Sequence, residues 1–140
     1  MTRLLLAEDN DFTRNMLARR LKRQGFEVFT ATDGREAMSA ARREHPDVIL
    51  MDVNMPIMDG LAAIAALRSD PRTFRIPIIV VSANASPEAV AEALHAGCQA
   101  FEAKPVVLRR LVDRIEEVLA GRPMPAQSDP AAVEDPASTP

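Results

Sequence analysis

Five polar or charged residues in this sequence lie at or just past the ends of short apolar runs. Glu8 and Asp9 follow the segment RLLLA, and Asp52 follows DVILM. Ser82 lies near the end of PIIVVSA, and Lys104 follows AFEA. A charge directly after a fully apolar run is costly unless a partner compensates it. The positions of these residues therefore suggest a shared site.

Three carboxylates that meet at one place need a cation. Two carboxylates about 4 Å apart repel each other by about 4 kcal/mol at an effective dielectric constant near 20. No His or Cys lies beside them in the sequence, and oxygen ligands alone are typical of a hard ion such as Mg²⁺. A carboxylate beside that ion can attack a phosphoryl group, while Lys104 and Ser82 contact the phosphoryl oxygens. The chemistry predicted is phosphoryl transfer to Asp52.

Five apolar runs predict the strands that would position these residues. Residues 3–7, 47–51 and 77–83 are apolar on both faces, which is typical of parallel strands that are covered on both sides. Residues 27–31 and 100–103 are shorter or more polar runs that complete the set.

Amphipathic segments separate the runs and predict five helices. In the first, residues 12–25, we expect Phe12, Met16, Leu17 and Leu21 to share the buried side. In the last, Leu108, Leu111, Val112, Ile115, Val118 and Leu119 follow helical spacing. Residues with the properties of helix caps or stops occur at the ends of these segments: Asp33, Ser86, Gly25 and Gly97.

Strands that alternate with helices predict an α/β fold. We expect a doubly wound (βα)5 three-layer sandwich, flavodoxin-like, whose five-stranded parallel sheet has the order 2-1-3-4-5. In this order the first and third strands are neighbours where the winding reverses, and ligands bind at the carboxyl ends of the strands there. The five polar residues would then converge on one edge of the sheet.

Composition excludes several classes of protein. The chain has 140 residues and a formal net charge of −3, without the basic excess of a nucleic-acid-binding protein. The only cysteine, Cys98, has no disulfide partner, and two histidines cannot form a typical zinc site with it. A lone cysteine suits a reducing, cytoplasmic setting, and no segment is typical of a signal peptide or a membrane span. Residues 1–120 form one predicted domain, and residues 121–140 a flexible tail rich in Pro and Ala.

The motifs that carry these residues make the sequence resemble the receiver domain of two-component response regulators. The resemblance covers residues 2–120 and lies in LLLAEDN, ILMDVNMPIMDG, IIVVSA and FEAKPV. It implies that Asp52 is the phosphoacceptor. It also implies a Mg²⁺ site, in which Asp9 and Asp52 bind through carboxylates, Asn54 through its backbone carbonyl and Glu8 through water. Phosphoryl contacts and a cis peptide are implied at the remaining motif positions: Ser82, Ala83 and Lys104 for the contacts, and Pro105 for the cis bond.

The resemblance further implies a switch and two kinds of partner. The phosphoryl group would draw Ser82 inward, and Phe101 would turn into the space left behind. Phe101 lacks the hydroxyl of the tyrosine common at this position, so the switch would depend on packing alone. The donor would be a sensor histidine kinase or a histidine phosphotransfer protein. The target would bind the face formed by the fourth helix, fifth strand and fifth helix, with no direct binding to nucleic acid or membrane by this single-domain type.

Two other interpretations remain open. An aspartyl-phosphate hydrolase on a similar sheet usually has a second acid two residues after its nucleophile, and Asn54 holds that position here. A docking module that acts without phosphorylation would not need the five polar residues, all of which are present. Each residue alone has an ordinary explanation: a turn at Asp52, a core hydroxyl at Ser82 and a surface lysine at Lys104. Their joint occurrence favours the receiver.

Overall fold

Residues 1–121 are described by the computed structural model, and they form alternating strands and helices. The strands are β1 (Arg3–Ala7), β2 (Glu27–Ala31), β3 (Val48–Asp52), β4 (Ile78–Ser82) and β5 (Ala100–Ala103). The helices are α1 (Asp11–Arg23), α2 (Gly34–Glu44), α3 (Gly60–Arg68), α4 (Pro87–Ala96) and α5 (Leu108–Leu119).

The strands form one parallel sheet with the order β2-β1-β3-β4-β5. The predicted fold class and strand order are therefore confirmed. β1 and β3 pair directly, with Leu4 opposite Val48 and Ala7 opposite Met51. This register carries the residues after Ala7 to the same edge of the sheet as Asp52, because both strands run in the same direction.

The sheet is the centre of the hydrophobic core. Every residue of β3 and β4 is buried, as are four of the five residues of β1. Helices cover both faces of the sheet, which explains why these strands are apolar without alternation. The largest fully buried side chains include Leu5 and Ile49 from the sheet and Ile64, Leu111 and Ile115 from the helices.

Side-chain caps mark where the first four helices begin, whereas α5 begins after Val107 without one. The Asp33 carboxylate accepts a hydrogen bond from the N–H of Glu36, and the Ser86 hydroxyl accepts one from the N–H of Ala89. Both caps agree with the sequence analysis. Gly25, just after α1, has a φ of 103°, a backbone conformation that residues with a side chain rarely adopt.

One predicted buried residue is exposed. Phe12 has 74% of its surface accessible, whereas the buried residues of α1 are Leu17, Ala18 and Leu21. Leu21 follows Phe12 by nine positions, and at about 100° per residue the two lie about 180° apart around the helix. The expectation that Phe12 shares the buried side was therefore wrong, because it grouped residues from opposite faces.

Two strand ends also differ slightly from the prediction. Asp52 is the last residue of β3 rather than the first residue after it, and β4 begins and ends one residue inside the predicted range 77–83. The flexible tail predicted for residues 121–140 lies, from residue 122 onward, outside the described residues. Among the helices of residues 1–121, none has the length and apolar character needed to cross a membrane.

The Cys98 thiol is buried, and burial raises its pKa to about 12. We expect the folded protein to react very slowly with a thiol reagent such as Ellman's reagent at pH 8, because only the thiolate reacts. The same protein in concentrated urea should react at the rate of an ordinary cysteine. Equal rates in the folded and unfolded protein would contradict the burial of this side chain.

Candidate functional site

The acidic residues meet beside one lysine at the carboxyl edge of the sheet. Three carboxylate oxygens, one from each of Glu8, Asp9 and Asp52, lie within 4.8 Å of one another. Lys104, which follows β5, places its Nζ atom 3.0 Å from Glu8 Oε1 and 3.6 Å from Asp52 Oδ2. The sequence predicts this convergence, and the strand order produces it.

Two of the three carboxylates are buried. Glu8 and Asp52 are only 4% and 6% exposed, whereas Asp9 is exposed. Burial, followed by the negative charge of Glu8, raises the pKa of Asp52 from 3.8 to about 6. Lys104 and the N–H of Asn54 oppose this shift without cancelling it. The folded protein therefore disfavours the ionised form of Asp52 in the absence of a further cation.

The charged form of Lys104, unlike that of Asp52, is favoured in the folded protein. Its burial lowers the pKa, but the hydrogen bond to Glu8 and the negative charges of Asp52 and Glu8 outweigh that effect, so the pKa is raised. The ammonium group therefore stays charged. Three ionised carboxylates and one ammonium group sum to a charge of −2, which is equal in size and opposite in sign to the charge of a divalent cation. The cluster contains only oxygen donors, which suits a hard ion.

Backbone contacts hold Glu8 in place. Its N–H donates to the carbonyl of Ala31 at 3.0 Å, which extends the pairing of β1 with β2 by one residue. The N–H of Asn10 donates to Glu8 Oε2 at 3.1 Å, and Arg14 donates to the backbone carbonyl of Glu8 at 3.1 Å. Both carboxylate oxygens of Glu8 are thus engaged, one by Lys104 and one by Asn10.

Asn10 and Arg14 were not identified from the sequence as parts of this site. Asn10 could have been found as the N-cap of α1, since its side chain accepts from the N–H of Thr13. Arg14 carries no comparable signal, because an arginine in an amphipathic helix is ordinarily solvated.

The remaining predicted residues lie at the end of β4 and in the loops after β3, β4 and β5. The N–H of Asn54 donates to Asp52 Oδ1 at 3.3 Å, and the N–H of Asn84 donates to Ser82 Oγ at 3.1 Å. Ser82, the last residue of β4, is buried, and its carbonyl accepts from the N–H of Lys104 at 2.8 Å. Ala83 follows it and is exposed. The peptide bond between Lys104 and Pro105 is cis.

The predicted switch residue Phe101 is buried in β5, with 8% of its surface exposed. It pairs with Val80, and Ala103 pairs with Ser82. Residues two apart on a strand point to the same face, so Phe101 and Ser82 lie on one face of the sheet. The two residues are therefore diagonal neighbours on the adjacent strands β4 and β5.

The raised pKa of Asp52 makes stability depend on pH. The protonated carboxyl favours the folded state below pH 3.8, and this advantage is lost as the pH rises through about 6. We expect Asp52→Asn, in EDTA, to raise the free energy of unfolding at pH 7.5 by about 1–3 kcal/mol. The gain should shrink toward zero near pH 3.5, as measured by urea unfolding.

The matched control for this change is Asp113→Asn, at an exposed aspartate of α5. We expect it to change stability by less than about 0.5 kcal/mol at either pH. An Asp52→Asn protein that is no more stable than the unmodified chain at pH 7.5 would show that burial and the charge of Glu8 do not disfavour the ionised carboxylate of Asp52 in the folded state.

Comparison with known proteins agrees with this geometry. Residues 4–116 match the family model described as the response regulator receiver domain. The transcriptional regulatory protein PrrA of Mycobacterium tuberculosis is 38% identical over 126 residues, which are 90% of this chain and 53% of PrrA. The polar-differentiation response regulator DivK of Brucella suis is 31% identical over 83% of this chain and 94% of its own length. The chain thus spans about half the length of PrrA and nearly all of DivK.

Solved structures give the same result. The chemotaxis protein CheY4 of Vibrio cholerae superimposes with a TM-score of 0.80 at 34% identity, covering 84% of this chain and 98% of CheY4. The receiver domain of the sensor histidine kinase PA1611 of Pseudomonas aeruginosa, solved with a magnesium ion coordinated in the active site cleft, gives a TM-score of 0.80 at 31% identity. That match covers 85% of this chain and 98% of the receiver domain. The parallel sheet, the acidic cluster at its carboxyl edge and these matches lead to one conclusion: the chain belongs to the response regulator receiver domain family.

Proposed function

We propose that this receiver accepts a phosphoryl group on Asp52 from a phosphohistidine donor in a Mg²⁺-dependent reaction, and that phosphorylation changes how it binds a protein target. The observation that carries the proposal is the position of the Asp52 carboxylate. It is buried, lies 3.6 Å from the Lys104 ammonium group and belongs to a cluster with a net charge of −2. The reaction would take place in the cytoplasm.

Four residues would hold the cation. Asp9 and Asp52 would bind it through carboxylate oxygens and Asn54 through its backbone carbonyl. Glu8 would act through water, a role supported by the engagement of both its oxygens with Lys104 and Asn10. When bound, the cation supplies positive charge to the phosphoryl oxygens and neutralises the acidic cluster.

Phosphoryl transfer would use Asp52 as the nucleophile. A carboxylate oxygen of Asp52 attacks the phosphorus atom, the bond from phosphorus to the donor imidazole breaks, and the imidazole nitrogen keeps the electron pair. Lys104 already lies beside the nucleophile and would pair with a phosphoryl oxygen. The Ser82 hydroxyl and the N–H of Ala83 would donate to the other phosphoryl oxygens. The product is an acyl phosphate on Asp52.

The signal would leave the site through Ser82 and Phe101. Movement of the Ser82 hydroxyl toward the phosphoryl group would open space on the face of the sheet that it shares with Phe101. Beside Phe101, the buried Glu102 carboxylate is 2.8 Å from Arg114 Nε and 3.5 Å from Arg110 Nη2, both on α5. We propose the surface of α4, β5 and α5 as the target-binding face, since the switch residue and this ionic cluster both belong to it. Binding to nucleic acid or to membrane would not be direct.

The donor would be a sensor histidine kinase or a histidine phosphotransfer protein. It must bring its phosphohistidine to Asp52, so it would cover the carboxyl edge of the sheet and the start of α1. Phe12 lies there and is exposed, three residues after Asp9. An exposed aromatic side chain beside the acceptor is well suited to bind the apolar surface of such a donor.

The two alternative functions receive less support. A hydrolase would turn over phosphate esters and needs a general acid near the nucleophile. Asn54, two residues after Asp52, cannot provide a proton, and its N–H instead donates to Asp52. A docking module independent of phosphorylation gives no reason for two buried carboxylates beside a lysine, because that arrangement is costly to fold. We therefore propose a phosphoacceptor and not a turnover enzyme.

Incubation with acetyl phosphate and Mg²⁺ tests the phosphoacceptor directly. We expect the intact mass to increase by one phosphoryl group, and we expect Asp52→Asn or addition of EDTA to abolish the increase. Asp59→Asn is the matched control, since Asp59 lies on the same loop and Asn caps a helix as well as Asp does. Continuous release of phosphate without a mass increase would favour the hydrolase.

Phe12→Ala tests the donor-binding surface. We expect a loss of roughly tenfold in the rate of phosphotransfer from a histidine phosphotransfer protein, because a buried aromatic contact is worth more than 1 kcal/mol at a protein interface. Phosphorylation by acetyl phosphate should not change, because the small donor makes no use of this surface. Phe74→Ala, at an exposed phenylalanine before β4, is the control. An equal loss with both donors would show that Phe12 acts on the chemistry instead.

A further inference from the structure

The start of α2 contacts the loop that follows the candidate phosphoacceptor. The N–H of Gly34 donates to the carbonyl oxygen of Met58 at 2.9 Å. A Cβ atom at Gly34 would overlap that oxygen and lie 2.9 Å from the carbonyl carbon and 3.0 Å from Met58 Cγ. Gly34 does not have a positive φ, so the reason for a glycine here is space and not backbone conformation.

The loop held by this contact, residues 53–59, is strained. Ile57 has a φ of 66°, and the N–H of Met58 donates to the carbonyl of Pro56 at 2.6 Å, which closes a three-residue turn around Ile57. A β-branched residue rarely adopts this conformation. The Ile57 side chain is 76% exposed, so its own packing does little to hold the turn. Contacts from outside the turn must therefore maintain it.

A second glycine anchors the other end of the loop. The N–H of Gly60 donates to the carbonyl of Val53 at 2.8 Å. A Cβ atom there would overlap the carbonyl oxygen of Asp52 and lie 2.8 Å from Val53 Cα. Asn54 lies between these two anchors. The position of its carbonyl relative to the Asp52 carboxylate thus depends on the backbone of a strained loop that is fixed at Val53 and at Met58.

We propose that Gly34 is a positioning residue for the cation and phosphoryl site, which acts by holding the Met58 carbonyl and with it the loop that carries Asn54. The proposal rests on the proposed function of that site. Gly34 touches neither the cation nor the phosphoryl group. The contact links the start of α2 to the cation site, so cation binding and the Gly34–Met58 hydrogen bond should stabilise each other.

The first test is Gly34→Ala, with Mg²⁺ binding measured by calorimetry and the unfolding midpoint measured in EDTA. We expect Mg²⁺ to bind roughly 10- to 100-fold more weakly, as is usual when a group that orients metal ligands is lost. Ala41→Gly is the matched control, since it changes the same two residue types in the last turn of α2. It should lower the unfolding midpoint and leave Mg²⁺ affinity unchanged.

The second test separates positioning from stability. In Gly34→Ala combined with Ile57→Gly, the glycine lets the turn relax away from the added methyl group. We expect the unfolding midpoint to recover toward that of the unmodified protein, whereas Mg²⁺ affinity should stay low because the loop no longer holds Asn54. Recovery of both quantities together would overturn the proposal, since a purely structural role predicts that result.

The third test uses the unmodified protein and does not depend on whether a variant folds. Amide hydrogen exchange followed by NMR should show that Mg²⁺ slows exchange at Gly34 as well as at Asn54. Slower exchange at Asn54 alone would overturn the proposal. If Mg²⁺ binds Gly34→Ala as tightly as it binds the unmodified protein, this inference is overturned and the proposed function still stands. If Mg²⁺ does not bind the unmodified protein, both the inference and the proposed function are overturned.

Discussion

Two buried carboxylates share one ammonium group in this receiver, and the remainder of the site depends on that imbalance. Glu8 and Asp52 are both within 4 Å of Lys104 Nζ, while Asp9 adds a third negative charge from the solvent side. The folded chain carries the cost of this arrangement in the raised pKa of Asp52. A divalent cation is the kind of ligand that relieves it, because its positive charge compensates the negative charge of the carboxylates.

The fold makes this costly cluster possible. Parallel strands end at one edge, and the reversal of winding between β1 and β3 brings Glu8 and Asp52 together without a helix between them. The core is packed on both faces of the sheet, and its contribution to the free energy of unfolding offsets the cost of the repulsive site. Contacts from the loops position the residues of the site. Asn10 orients Glu8 through a hydrogen bond. The glycines at 34 and 60 let two backbone segments approach the loop after Asp52 more closely than any side chain would permit.

Most of the fold could be predicted from the sequence, because the central strands are buried on both faces and four of the five helices begin with ordinary side-chain caps. The five polar residues at the strand ends were identified for the same reason, since parallel strands must deliver them to one edge. The prediction for Phe12 was wrong because it considered only that the side chain is apolar and not its angular position around α1. The contact between Gly34 and Met58 could not be predicted, because it joins residues that are distant in the chain and depends on backbone packing. The same is true of the pairing of Lys104 with Glu8, which needs the three-dimensional distances.

Chemical trapping of the acyl phosphate tests most directly whether Asp52 is the phosphoacceptor. The protein is incubated with acetyl phosphate and Mg²⁺ and then treated with sodium borohydride, which reduces an aspartyl phosphate to homoserine. Peptide mass spectrometry then identifies the reduced position. We expect homoserine at position 52, and we expect none when EDTA replaces Mg²⁺. Homoserine at another aspartate, or none in protein that binds Mg²⁺, would contradict the assignment of Asp52 as the phosphoacceptor.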